Sequence, residues 1–352
     1  MRDESYEFLR TLLSTPGPSG NEEAPAKVWR EMAGSFAEVR ADRMGNSFAT
    51  LNAGGTPRIM LSGHIDEIGL MVTHIDDQGL LRFTGVGGWD SQVLVGQRVR
   101  LQTKGGEMTG VIGKKAIHVM EPDERKKVSE IKNLWIDIGA KDGDEAKERV
   151  RVGDVAVIDQ DFLELGNGRI ASRSLDNRMG AFVVLEALRL LSEEDGINAE
   201  VVSVASVQEE IGLYGARASA FSVDPDAAIA VDVTHATDTP GVSKNENGDH
   251  ALGSGPVIKR AVNMSPLVSE GLIEAAEREG IEYTLEADSR STGTDGDAIQ
   301  FQRAGIATSV VSVPNRYMHS PNEIVDLEDL ENCARLIAAY IKSLGADTDF
   351  VR

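Results

Sequence analysis

The chain has 352 residues, 41% of them apolar, with a formal net charge of −21 and a pI near 4.7. That is enough apolar material for a large core, in one big domain or two. So negative a chain repels nucleic acid and anionic lipid, which excludes both as expected partners, and no apolar run is long enough to span a bilayer.

The acids are dispersed, not gathered into a tail, and read as a solubilising surface in preference to an adaptation to high salt. The opening "MRDESYEFLRTLL" is charged and periodic, an amphipathic helix and not a secretion signal, so a cytoplasmic location is expected. Helices are predicted over 4–14 and 22–33, around the turn "STPGPSGNEE". "FAEVRADRMGNSFATLN" reads as two strands turning at Gly45–Asn46. "RIMLSGHIDEIGLMV" is an apolar strand interrupted by His64, Asp66 and Glu67.

Between about 73 and 161 short β runs alternate with turns, the texture of a small barrel-like domain. Within it, "HVMEPDERKKVSEIKN" reads as a loop or short helix. From residue 165 strands alternate with helices: Gly180–Leu191 helical, Ala199–Gln208 and Ala227–Val233 extended, Pro266–Arg278 helical, Ile306–Val313 extended, Leu327–Leu344 helical. This alternation predicts an α/β fold, a mostly parallel sheet covered by helices on both faces. The expected division is a catalytic domain of 1–72 and 165–352 with a β domain, 73–164, inserted into it. The single Cys333 rules out an internal disulfide and reads as core filler in the last helix.

Five places put acids or histidines at the end of an apolar strand or in the loop beyond, where open α/β sheets build sites. In "GHIDEIG", His64 and Asp66 stand two apart, on one face of a strand. A metal-bound histidine commonly passes its other ring proton to a carboxylate, but a satisfied core histidine beside a strand-end acid fits as well. Asp176 precedes an apolar helix in "SRSLDNRMGAFV", where a helix-capping role competes. "VQEEIG" ends a core strand in Glu209 and Glu210, whose bland reading is one solvated acid and one salt bridge. Asp232 interrupts the core strand "AAIAVDV", where an unpaired carboxylate is expensive. His319 follows a core strand in "RYMHSPNEIV". Together these give two imidazoles and several carboxylates without thiolate, a set suited to Zn²⁺, Mn²⁺ or Co²⁺. So much carboxylate suggests two metals bridged by one acid, with one glutamate left free to move protons.

These five motifs, together with "TGVGGWDSQVLVGQRV" in the β segment, resemble the tetrahedral, dodecameric di-metal aminopeptidases, variously called glutamyl, leucyl, lysyl or deblocking aminopeptidases and in places labelled endoglucanase. The resemblance covers nearly the whole chain. It implies that Asp176 bridges two metals, that His64 and Asp232 complete one site, and that Glu210 and His319 complete the other. It further implies Glu209 as general base and acid and Asp66 as the group that orients His64. The substrates implied are short peptides with a free N-terminus, and the assembly is a homo-oligomer of dimers joined through the β domain into a hollow dodecamer. The competing expectations are N-acyl amino acid deacylation or carboxypeptidase action on the same scaffold, or a non-catalytic scaffold holding metals for folding. A glycosidase needs no metal, so the endoglucanase label carries little weight.

Two features are weaker. "EADSRSTGTDGDAIQ" reads as a loop entering a helix near Asp297, and Arg290 within it is a solvated loop arginine or a partner for an acidic substrate. His235 reads as structural, and His74, His118 and His250 as surface or packing residues.

Overall fold

The computed structural model describes residues 1–352. Two amphipathic helices come first. α1 (Asp3–Ser14) buries Phe8, Leu9, Leu12 and Leu13, a stripe at helical spacing, and α2 (Glu23–Ala33) buries Ala26, Trp29 and Ala33. β1 (Glu38–Ala41) and β2 (Ser47–Leu51) form a hairpin. Its turn is set by Asp42, whose Oδ1 accepts the amides of Met44, Gly45 and Asn46. β3 (Arg58–His64) follows and is buried from Ile59 onward.

The chain then builds a closed six-stranded barrel from β4 (Gly69–Ile75), β5 (Leu81–Val86), β6 (Arg98–Thr103), β7 (Gly106–Gly113), β8 (Trp135–Asp137) and β9 (Val155–Ile158). The order is β4-β5-β8-β7-β6-β9 with every pair antiparallel. Closure leaves no free sheet edge. The barrel packs around a core of its own that includes Leu70, Leu81, Val99, Ile112 and Ile136. The polar stretch expected as a loop or short helix forms three exposed 3₁₀ turns. A helix that periodicity did not flag, α3 (Gly143–Arg149), is capped by the Asp142 side chain.

The chain returns through β10 (Leu163–Glu164) and β11 (Arg169–Ser172) to α4 (Leu175–Ser192), β12 (Glu200–Ser206), α5 (Tyr214–Val223), β13 (Ala227–His235) and α6 (Lys244–Asn247). After these come β14 (Val257–Lys259), α7 (Pro266–Glu279), β15 (Thr284–Glu286), α8 (Asp295–Ile299), β16 (Ala307–Asn315), β17 (Glu323–Asp326) and α9 (Leu327–Lys342). The main sheet has eight strands in the order β1-β2-β12-β3-β13-β16-β14-β15. Its centre, β12, β3, β13 and β16, is parallel. β3 shows how both faces are covered: Ile59 and Leu61 join the large core with α4 and α9, while Met60 joins a second core with α5 and α8. The expected α/β class, a mostly parallel sheet with a barrel added, is the fold. No helix is long and apolar enough to cross a membrane. Cys333 lies fully buried in α9.

One contact brings the site together. A Cβ on Gly63 would lie 2.4 Å from the Gly180 carbonyl carbon, and a Cβ on Gly180 would lie 2.7 Å from the Val231 oxygen. Glycine at both positions lets α4 settle directly onto β3 and β13, which sets the start of α4 beside the end of β3.

Candidate metal centre

The parallel strands β12, β3, β13 and β16 end side by side, so their C-terminal ends deliver side chains to one crevice. His64 is the last residue of β3, and Asp232 lies within β13. Glu209 and Glu210 sit in the turn after β12, and His319 in the loop after β16. Asp176 stands at the start of α4, where it and Asn177 have non-helical backbone angles.

These residues converge. Asp176 Oδ1 is 3.3 Å from His64 Nε2, and its Oδ2 is 3.2 Å from His319 Nε2. Glu209 Oε2 lies 3.6 Å from His64 Nε2, and Glu210 Oε2 lies 3.5 Å from His319 Nε2. Donor atoms of His64, Asp176 and Glu210 fall within 4.8 Å of one another, as do those of His64, Glu209 and Asp232. Glu209 therefore converges on the same centre as the other donors.

The local backbone differs from the expectation in two ways. β12 ends at Ser206, and the chain turns through Gln208, whose φ is +57°. Glu209 and Glu210 thus do not alternate across a strand. Their directions come from a turn held by Asp66, which also lies beyond the end of its strand: Oδ1 accepts the Glu209 amide at 3.1 Å and Oδ2 the Glu210 amide at 3.2 Å. Asp66 additionally accepts the Ser19 hydroxyl at 2.6 Å and lies 3.3 Å from His64 Nδ1. One carboxylate therefore orients both the imidazole and the two glutamates. Gly212 completes the turn at φ +143°, where a Cβ would lie 2.8 Å from the Tyr214 ring.

Three contributors escaped the sequence reading. Glu323 is buried, accepting the Asp176 amide at 2.8 Å and the His319 amide at 2.9 Å, so it ties the two together. An acid opening an apolar strand in "SPNEIV", four residues after His319, was the available signal. Asp295, not Asp297, faces the sheet and accepts the hydroxyls of Ser62 and Ser206. Asp297 instead holds Thr292 and Asn263. The barrel also reaches the site. A Cβ on Gly88 would lie 3.3 Å from His319 Nδ1, and one on Gly87 the same distance from Glu210 Oε2. His235, expected as structural, is exposed and lines the cavity of about 370 Å³ above the centre. His74 and His118 are exposed, and His250 is buried against Thr284.

The electrostatics follow from burial. Loss of water raises Glu209 above the ordinary carboxylate range, and Asp232, Asp295 and Glu210 add to the rise. Burial also raises Glu210, with Asp176 adding to it, and Asp232 likewise with Asp176. Burial opposes charge on His64, but Glu209, Asp176 and Asp66 outweigh it and raise the imidazole well above its usual value. The hydrogen bond to Asp176 raises His319 to about 9. Burial pushes Asp176 upward too, yet the two histidines outweigh it and hold its carboxyl low. The cluster thus draws positive charge from whatever source is available.

Divalent cations fit that demand. Asp66, Asp176, Glu209, Glu210 and Asp232 surround only two imidazoles, and Glu210 Oε1 is buried with no hydrogen-bond partner. An unpaired buried carboxylate oxygen is costly unless a cation meets it. A donor set of imidazole and carboxylate suits Zn²⁺, Mn²⁺ or Co²⁺.

Fold and site together define an α/β enzyme with a histidine–carboxylate centre at the carboxyl ends of its parallel strands. Residues 45–336 match the family model described as M42 glutamyl aminopeptidase, and the chain belongs to that family. It is an aminopeptidase, a hydrolase of peptide bonds. It is 36% identical to the lysyl aminopeptidase of Pyrococcus furiosus over 96% of this chain and 97% of that protein. A TET aminopeptidase from a marine-sediment thaumarchaeon superposes with a TM-score of 0.93, at 38% identity and 97% coverage of both chains. The TET1 peptidase of Pyrococcus horikoshii, which can assemble into a tetrahedron or a large octahedral shell, superposes with a TM-score of 0.87 at 34% identity, covering 97% of this chain and 100% of that one.

Proposed function

We propose that this centre holds two divalent cations and removes N-terminal residues from short peptides. The observation that carries the reading is Asp176, whose two oxygens separately face His64 and His319 at 3.3 and 3.2 Å. One carboxylate between two imidazole poles suits a bridging ligand, with Asp232 completing the His64 side and Glu210 the His319 side. Zinc, cobalt and manganese are the candidate ions.

Bound there, the ions would supply Lewis acidity, polarising the scissile carbonyl and acidifying water at the site. The protein's own part is proton transfer and positioning. Glu209 takes the proton of the attacking water on its carboxylate and returns it to the leaving amine nitrogen. Its carboxylate lies 3.6 Å from His64 Nε2, at the same centre and not on the Asp176 bridge, which suits a group that moves a proton there. Asp66 keeps Glu209, Glu210 and His64 in mutual register through its hydrogen bonds. The remaining acidic lining of the cavity favours a protonated α-amino group, which makes a free N-terminus the handle.

The barrel is proposed as the dimer contact, with dimers assembling into a dodecamer. The assembly takes its support from the horikoshii relative, and the barrel's part in it from the resemblance of "TGVGGWDSQVLVGQRV" to the family's dimerisation domain.

The test is a substrate panel with each ion in turn. Aminoacyl anilides with a free amine are expected to turn over, and N-acylated amino acids and C-terminal substrates are not. Turnover of the acylated compounds alone would assign the site to deacylation. Light scattering that finds only monomer would remove the proposed assembly.

A further inference from the structure

Four successive amides carry the chain from the end of β12 into the turn that presents Glu209, and each donates to a side chain. Val207 N–H donates to Asn46 Oδ1 at 3.0 Å and Gln208 N–H to Glu22 Oε1 at 3.2 Å. Glu209 and Glu210 follow on Asp66, at 3.1 and 3.2 Å. Successive free amides in a turn make an anion-binding concavity. Here the protein fills it with carboxylates of its own.

One short loop, residues 15–22 between α1 and α2, governs both of those acids. The loop is fixed along Glu67, whose amide donates to the Gly17 oxygen at 3.3 Å and whose oxygen accepts the Ser19 amide at 3.2 Å. That places the buried Ser19 hydroxyl on Asp66 Oδ2 at 2.6 Å. Three residues on, Glu22 is 6% exposed, and its Oε1 also accepts the Gly20 amide at 2.6 Å. Glu22 is the N-cap of α2, yet its side chain caps no amide of that helix. The ordinary use of an acid at a helix start therefore does not account for it.

We infer that Ser19 and Glu22 are positioning residues for the peptidase reaction, bracing the turn from outside so that Glu209 keeps its aim at the centre. The inference rests on Glu209 being the base we propose. Gln208 gives the brace its purpose. Its φ is +57°, a left-handed conformation that costs a non-glycine residue energy. Without the Glu22 oxygen the Gln208 amide loses its acceptor, and relaxation of that residue swings the next one, Glu209. A displacement of about 1 Å at a reacting group is enough to cost about a hundredfold in rate.

What the turn uses is the acceptor oxygen and not the charge. Burial and the nearby Asp66 carboxylate push Glu22 up to about 7, so these surroundings do not favour ionisation. Both of its bonds fall on one oxygen, and an amide oxygen would accept the same two.

The test uses the metal-loaded enzyme and whichever aminoacyl p-nitroanilide it cleaves best. Glu22→Ala should lower kcat by about tenfold to hundredfold, with KM unchanged and bound metal, by elemental analysis, near wild type. Glu22→Gln should restore most of the loss. The decisive reading is made in the Glu209→Gln background, where Glu22→Ala should lower kcat no further, because the carboxylate it aims is gone. If Glu22→Ala does not fold, Ser19→Ala removes a single hydroxyl and is read the same way, as a smaller fall in kcat that vanishes in the Glu209→Gln background. Unchanged kcat in both single variants would overturn the inference, as would Glu22→Gln no better than Glu22→Ala. So would an equal fold loss with and without the Glu209 carboxylate, the mark of a general loss of structure. Each of these results leaves the metal centre and its base standing. Full turnover in Glu209→Gln itself removes the base, and the inference falls with it.

Discussion

Asp66 and Glu67 are adjacent, equally buried, and belong to opposite kinds of charge cluster. Glu67 lies between Arg173 and Arg178, with Arg178 Nη2 2.9 Å from Oε1. The guanidinium of Arg178 also donates to the backbone oxygens of Leu12 and Ile65, at 2.9 and 3.0 Å. Here cations outnumber the acid, and the two arginines overcome burial to hold Glu67 below its ordinary range. On the Asp66 side, acids outnumber cations and Glu210 is left with an unpartnered oxygen. The first cluster ties α1, β3 and α4 together, with a surplus of positive charge and Arg173 Nε as its one buried donor left without a partner. The second carries a surplus of buried acid that only a cation can balance, and that sign of surplus marks the candidate site. Burial of charge alone distinguishes nothing; the sign and surplus of the charge do.

The largest effect should come from stripping the metals. Chelation is expected to abolish peptidase activity while far-UV circular dichroism stays unchanged, because the Glu67 cluster and both main-sheet cores persist. Collapse of the secondary structure on chelation would erase the distinction between the two clusters. Next, Glu209→Gln should lower kcat by about 10²–10⁴-fold. Metal content, read by elemental analysis, should stay near wild type. Glu210→Gln should instead lose metal. Equal metal loss in both would mean that Glu209 is a ligand and not the base.

On the other side of the comparison, Glu67→Gln leaves two buried guanidiniums short of a partner and should cost about 3–5 kcal/mol in chemical denaturation. The pH dependence has a definite sign. Because the folded state holds Glu67 low, its contribution is fully present above the unfolded value of about 4.3 and fades as pH falls through the lower folded value. The gap between wild type and variant should therefore narrow below about pH 4. A gap that widened on acidification would contradict the assignment.

Asp66→Asn should weaken metal affinity about 10–100-fold, the usual effect of losing a group that orients a ligand. It should also lower kcat, since the amide cannot accept both the Glu209 and Glu210 N–H groups. The smallest change is expected from Gly88→Ala. The added methyl would meet His319 Nδ1 at 3.3 Å, so a severalfold rise in KM or fall in metal affinity would separate contact from mere proximity. Unaltered kinetics and metal binding would show that the loop has room to yield.

Strand ends were the legible part of the site. His64, Asp176, Asp232 and His319 each interrupt or follow an apolar run, and such interruptions survive as sequence signals because buried polar residues are rare without a reason. The α/β alternation was legible for the same reason. What escaped was set by turns and by distance. The pattern places Glu209 and Glu210 at the end of a core strand, but the strand stops at Ser206, and their directions depend on Asp66, more than 140 residues upstream. Glu323 and Asp295 work through backbone amides and hydroxyls, contacts that carry no spacing of their own. Ser19 and Glu22 do the same from the loop between α1 and α2, a stretch whose pattern reads only as a turn.

The Gly87–Gly88 loop has a consequence for heat. It belongs to the barrel yet forms one side of the cleft at His319 and Glu210. The barrel is packed by a core of 16 buried residues, whereas the main sheet's larger core has 47. Warming that loosens the smaller unit would let that loop drift from the imidazole while the sheet remains intact. Inactivation would then precede melting, and the working temperature of the molecule would be capped by the part that supplies none of the converging histidines and carboxylates.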